Sequence, residues 1–177
     1  MSRFSDTLLE QARELAEQDK GRPRQANLRR AVSSAYYSVF HLLCEDAAGT
    51  FVGRGAANAK MRALITRAFV HTQMREACLD MGKRNPPPVL EPFFVTLNPL
   101  GSPELQRLAR TFVDLQLQRH RADYDLNDNF TRAQVLVLLQ DAEQAREDWN
   151  TLRNDQAELS RFFSLLLLVR GSLGARK

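Results

Sequence analysis

Arg30-Ala31-Val32-Ser33-Ser34-Ala35-Tyr36-Tyr37-Ser38-Val39-Phe40-His41 carries two stripes at once. Leu28, Val32, Ala35, Val39 and Leu43 recur at three- and four-residue steps, which puts them on one apolar face of a helix. Arg30, Ser33, Tyr37 and His41 recur at the same steps on a polar face. Ser33, Ser34, Ala35 and Ser38 are small enough for another helix to come close. The spacing predicts a helix over residues 24–48 with a core side and a polar side that needs cover. Helical spacing recurs in every segment outside residues 82–103, and no alternating strand pattern occurs. The fold class expected is all-α.

Toward the N-terminus, Asp6 is placed to cap a helix carrying Leu8, Leu9, Ala12, Leu15 and Ala16, which runs to about Asp19. Gly21 and Pro23 end it. Lys20, Arg22, Arg24, Arg29 and Arg30 lie in the link without an acid between them, and the link reads as a solvated turn. Beyond Gly49, Gly53 and Gly55, a third helix is expected over residues 59–81, with Met61, Leu64, Ile65, Ala68, Phe69 and Cys78 on its apolar side. Residues 82–103 hold six of the seven prolines, which disfavours helix. Val89, Leu90, Phe93, Phe94, Val95, Leu97 and Leu100 make this stretch too apolar for a free linker, so it reads as a long loop pinned to the bundle.

Ser102-Pro103-Glu104 is a helix start, with a cap, a first-turn proline and an acid near the positive end of the dipole. The fourth helix carries Leu105, Leu108, Phe112, Leu115 and Leu117, and Thr131 caps the next. In that last helix Val135, Leu138, Ala142, Ala145, Trp149, Leu152, Gln156, Leu159, Phe163, Leu166 and Arg170 step by threes and fours. No Gly or Pro lies between residues 132 and 170. One continuous helix of about 40 residues, about 60 Å long, is expected, with its end projecting or folding onto a second subunit. A break near Asn154-Asp155 is the alternative. The organisation expected is a bundle of about five antiparallel helices over residues 1–153, with an extension over residues 154–177 continuous with its last helix.

The chain of 177 residues is long enough for one domain with a real core, and its net charge of +4 is too small to imply nucleic acid by itself. Of the 25 basic residues 21 are Arg, the side chain suited to bidentate contacts with phosphate and carboxylate. Cys44 and Cys78 form no CxxC pair and read as buried free thiols in a reducing cytoplasm. His41, His71 and His120 are too widely spread to suggest zinc, and no metal or cofactor is expected. The N-terminus is polar, and the longest apolar run, residues 162–169, is far short of the ~20 residues of a membrane span. A cytoplasmic protein without a membrane role is expected.

The densest run of chemically capable side chains is Arg119-His120-Arg121-Ala122-Asp123-Tyr124-Asp125. Residues four apart on a helix share a face, so Arg119 stands over Asp123 and His120 over Tyr124. The bland reading is a charged helix end with one ion pair. The sharper one makes it a site together with the polar face of the second helix.

The stretch 30–41, with its Arg-Ala start and Tyr-Tyr and Phe-His pairs, resembles the second-helix signature of HEPN-domain proteins. These are small helical proteins of bacterial and archaeal toxin–antitoxin and defence systems. In one branch that helix reads Arg-Ala-Tyr-Tyr-Ala-Ala-Phe-His, and an Arg followed by Ala-Asp-Tyr closes the fourth helix, as Arg121-Ala122-Asp123-Tyr124-Asp125 does here. The resemblance covers residues 24–149. It implies a partner similar to a minimal nucleotidyltransferase, while the small-residue polar face of the second helix and the overlong last helix leave surface that needs cover, so a homodimer is expected. Catalytic members are similar to metal-independent ribonucleases, in which an Arg stabilises phosphate and a His, after four to six intervening residues, moves the 2′-hydroxyl proton. Arg119 and His120 match the start of that motif, but Tyr124 stands where His belongs, and a phenol ordinarily titrates near pH 10. The resemblance therefore assigns a degenerate catalytic set to Arg119, His120 and Tyr124. It assigns RNA, nucleotide or partner binding to Arg30, Ser33, Tyr37, His41, Arg121 and Asp123. A binding protein that does not cleave is the reading preferred. A ribonuclease using His120 or His41 as base, and a purely structural dimerisation module, are the alternatives.

Overall fold

A computed structural model describes residues 3–173; residues 1–2 and 174–177, the outer ends of the two expected regions, lie outside the described residues. Eight α-helices are present: α1 (Phe4–Glu17), α2 (Gln25–Val52), α3 (Ala59–Thr66), α4 (His71–Met81), α5 (Glu91–Leu97), α6 (Pro103–Tyr124), α7 (Arg132–Asp155) and α8 (Ala157–Leu173). No strand occurs among the described residues, so the protein is all-helical. The expected count of about five rises because two expected helices are each divided and one more forms inside the Pro-rich stretch.

The chain forms two compact units, Met1–Leu42 with Thr111–Arg146, and Leu43–Arg110 with Glu147–Lys177. The first unit draws on α1, α2, α6 and α7. The backbone N–H of Arg3 donates to Asp6 Oδ2 at 2.9 Å, so Asp6 stands in the first turn of α1 rather than before it. Ala12 and Ala16 are buried on α1, and Leu28, Val32, Ala35 and Val39 on α2, as the apolar stripe requires. Tyr36 is fully buried, its ring 5.6 Å from Phe112 of α6. Thr131 caps α7: its Oγ1 accepts from the Gln134 N–H at 3.2 Å, while Gln134 Oε1 accepts from the Thr131 N–H at 2.8 Å.

In the second unit the expected helix over residues 59–81 is two helices. Val70 is extended (φ −118°, ψ 126°) at the start of α4. Phe69 at the break is 6% exposed, whereas Met61 and Leu64 of α3 are 55% and 67% exposed. Burying Phe69 outweighs extending α3, which contributes nothing to the core. The Pro-rich stretch also departs from expectation, because α5 lies inside it. Pro92 stands in the first turn of α5, where a missing N–H costs no hydrogen bond. Asn98 ends that helix in the left-handed conformation (φ 45°, ψ 59°).

The long final helix is interrupted at Gln156, close to the alternative break. Its amide nitrogen Nε2 donates to Glu104 Oε2 at 3.2 Å. On α7 one stripe is covered, through Val135, Leu139, Ala142, Ala145, Trp149 and Leu152, with Leu139 in place of the expected Leu138. On α8, Leu159, Phe162, Phe163, Leu166 and Leu167 are all buried, and their steps of three and four put them on one face of that helix. The α8 helix packs along α4 instead of projecting, and Arg170 near its end pairs with Asp80 of α4.

Buried acids tie this unit together. Asp46 of α2 is fully buried and accepts from Trp149 Nε1 at 2.9 Å, from Arg54 Nη2 at 2.7 Å, and from Arg153. Asp80 is fully buried between Arg170 and Lys83, and Asp148 takes a forked pair from Arg107 at 2.7 and 3.1 Å. Cys44 and Cys78 are free and buried, and burial raises both thiols far above their ordinary range. Among the described residues no helix is long and apolar enough to cross a membrane.

Candidate functional site

The polar face of α2 and the last turns of α6 meet within the first unit. Two clamps fix them. Arg29 donates to the carbonyls of Ala122 (2.8 Å), Asp125 (2.8 Å) and Asp128, which caps the negative end of α6. Gln25 holds Phe130 from both sides, its Nε2 donating to the carbonyl at 2.8 Å and its Oε1 accepting from the N–H at 2.9 Å. The turn after α6 is thereby held to the start of α2, and the side chains of the two helices are brought into one cluster.

Arg119 is its centre. Its Nε lies 2.6 Å from Asp123 Oδ2, the expected pair four residues apart, although the N–H is not aimed well enough for a hydrogen bond. Ser33 Oγ of α2 donates to the other carboxylate oxygen of Asp123 at 2.6 Å. The guanidinium carbon sits 5.4 Å from the centre of the Tyr37 ring and 5.8 Å from that of Tyr124, within cation–π range of both. His120 and Tyr124, the second expected pair, have ring centres 4.8 Å apart. Tyr124 is 64% exposed, so much of its side chain is open to solvent.

Tyr37 continues the cluster along α2, stacked on His41 with ring centres 6.0 Å apart. His41 also meets the edge of Phe4 at 5.1 Å, and desolvation in this aromatic surrounding holds its pKa below the ordinary value. The two histidines have different neighbours, Tyr124 for His120 and aromatic rings for His41, so the convergence that a histidine pair would need is not seen. Arg30 is exposed and outside the cluster's contacts. Arg121 faces elsewhere: it pairs with Asp128, donates to Gln118 Oε1 at 2.8 Å and lies over Phe130.

Six of the nine residues singled out by sequence thus share direct contacts: Ser33, Tyr37, Arg119, His120, Asp123 and Tyr124. His41 joins through Tyr37, while Arg30 and Arg121 do not join. Sequence reading missed Arg29 and Phe4. Arg29 stands four residues before Ser33, one turn along the same face, which was the available signal. Among the described residues no three His, Cys, Asp or Glu side chains converge as metal ligands would. No family model, curated protein or solved structure matches this chain.

Proposed function

We propose that this chain is a HEPN-like protein that binds single-stranded RNA on the Arg119 cluster without cleaving it, in a toxin–antitoxin or defence-type setting. The exposed side chain of Tyr124, beside the Arg119 guanidinium, is the observation that carries the reading. An exposed aromatic ring next to an arginine is the arrangement on which unpaired bases stack while phosphate meets the cation. Asp123, itself held by Ser33, pairs with Arg119 from one side, so the cluster is organised before any ligand arrives. Proton transfer lacks its agent, because Tyr124 occupies the position where the resemblance calls for imidazole. A nucleotidyltransferase-like protein is the partner that the resemblance implies, and a second copy of the chain is its expected companion.

The test is a metal-free assay in which labelled single-stranded RNA reports binding by anisotropy and cleavage on a gel. Wild type is expected to bind and leave the RNA intact. Arg119→Ala and Tyr124→Ala should each weaken binding about tenfold, the scale of one lost stacking or charged contact, while Tyr124→Phe keeps it. Robust cleavage abolished by Arg119→Ala and by Tyr124→Phe would overturn the proposal in favour of the ribonuclease.

The Ser33–Asp123 hydrogen bond favours a second reading, in which the cluster only joins two helices. On that reading Ser33→Ala lowers stability and no RNA binds to wild type.

A further inference from the structure

A second cluster of arginines, in the other unit, uses none of the residues of the Arg119 cluster. Val52-Gly53-Arg54-Gly55 leaves α2, and Arg62 comes from α3. Glu45, Gly49, Arg54, Arg62 and Thr66 line an open pocket of about 330 Å³. Both arginines are held from behind. Arg54 Nη2 donates to the buried Asp46 at 2.7 Å, and Arg62 Nη1 donates to the carbonyls of Gly53 (2.9 Å) and Gly55 (2.7 Å). Gly53 has φ +80°, the left-handed region that turns its carbonyl into this loop at little cost. At Gly49 a Cβ would come within 3.3 Å of Arg54 Cγ, so the glycine is what lets that side chain lie along α2.

These anchors use one guanidinium nitrogen of each arginine. Each guanidinium keeps further N–H donors beyond these anchors, and both side chains line the pocket, which suits it to an oxyanion. Asp46 does not cancel the charge, because Arg153 and Arg54 share its carboxylate. With Arg62 added and Glu45 subtracted, three cations face two anions in this cluster. Glu45 in the same lining adds carboxylate oxygens with several lone pairs, so a ligand that carries a hydroxyl or amino donor as well as an anion matches the pocket better than an anion alone. Bare phosphate meets only the arginine half.

We propose that this pocket binds a small phosphate monoester bearing hydroxyl groups, with its phosphate on Arg54 and Arg62 and a hydroxyl on Glu45. Thr66 Oγ1 already donates to the Arg62 carbonyl and so presents its lone pairs, not its proton, to the pocket. Phosphate binding therefore rests on the arginines. The pull on Arg54 also has a built-in reporter. Trp149, the only tryptophan, donates to the same Asp46 carboxylate that anchors Arg54.

The experiment is calorimetric titration of the full chain with ribose 5-phosphate, inorganic phosphate and ribose, with tryptophan emission followed in parallel. Ribose 5-phosphate is expected to bind at ~1 mM or tighter, more tightly than inorganic phosphate, with ribose alone silent. Arg62→Ala should weaken both phosphate probes at least tenfold. Glu45→Gln should remove the preference for ribose 5-phosphate while leaving inorganic phosphate as tight or tighter. Because Arg62→Ala also releases two carbonyls, its melting temperature is measured, and the Glu45→Gln comparison stands if that variant does not fold. Absence of calorimetric heat and of emission change with both phosphate probes at 10 mM (a concentration about ten times the expected constant) overturns the proposal. So does binding unchanged in folded Arg62→Ala, or an unaltered preference in Glu45→Gln.

Discussion

At His41 the local surroundings set a pH dependence. The imidazole is packed by Tyr37, Phe4 and Phe40, and desolvation keeps its pKa below 6.5 in the folded chain. The unfolded chain takes up that proton near pH 6.5, where the folded chain does not. Its contribution to stability is therefore fully present above about pH 6.5 and falls as the pH drops through and below that value. Urea midpoints measured from pH 7.5 down to 5.5 should fall for wild type and fall less for His41→Phe; equal slopes would remove His41 from the account. Asp46 is the sharper case, because it is fully buried and answers three donors. Replacing it leaves two arginines and an indole N–H facing a gap. Asp46→Ala should cost about 3–5 kcal/mol in denaturant titration, the range for breaking one side of a buried pair. A loss below ~1 kcal/mol would mean that water replaces the carboxylate there.

Among the elements, α8 is where length and packing disagree. A projecting continuation of α7 would leave the face formed by Phe162, Phe163, Leu166 and Leu167 without cover, whereas beyond the break at Gln156 α8 packs along α4 and these residues are buried. Phe93 of α5 stacks on Phe162 with ring centres 5.0 Å apart, so the Pro-rich stretch supplies part of this cover. Phe163→Ala should destabilise the chain by about 3–5 kcal/mol, and Leu165→Ala, which removes a 46% exposed side chain, by less than about 1 kcal/mol. Two small and equal losses would instead describe a helix that projects from the chain.

For the whole molecule, the patches first read as demanding a second subunit are largely covered by the chain itself. Ser34, Ala35 and Ser38 are buried on α2, and four of the apolar residues in 162–169 are buried on α8. What argues for a homodimer now is different surface. Leu117, Leu126 and Val137 are 53%, 85% and 56% exposed in the same unit as the Arg119 cluster. Light scattering at about 50 µM, a working range for weak interfaces, should give twice the chain mass of 20.2 kDa. Leu117→Glu with Val137→Glu should halve it, and a wild-type monomer would remove the dimer from the proposal.

The helical class, both pairs within residues 119–124 and the caps at Ser102 and Thr131 could be read from the chain, because each depends on neighbours three or four residues away. So could the approach of the α2 polar face to that run, from motif resemblance. What spacing could not decide was where a helix stops without Gly or Pro. The breaks at Phe69 and Gln156 follow from which side chains are buried by distant segments, and α5 forms because Pro92 falls in a first turn. The buried acids Asp46, Asp80 and Asp148 read locally as ordinary surface charge. Their partners Arg153, Arg170 and Arg107 lie 107, 90 and 41 residues away. Desolvation and pairing over such separations belong to tertiary structure, because a local pattern fixes the face a residue occupies and not the charge it will meet there.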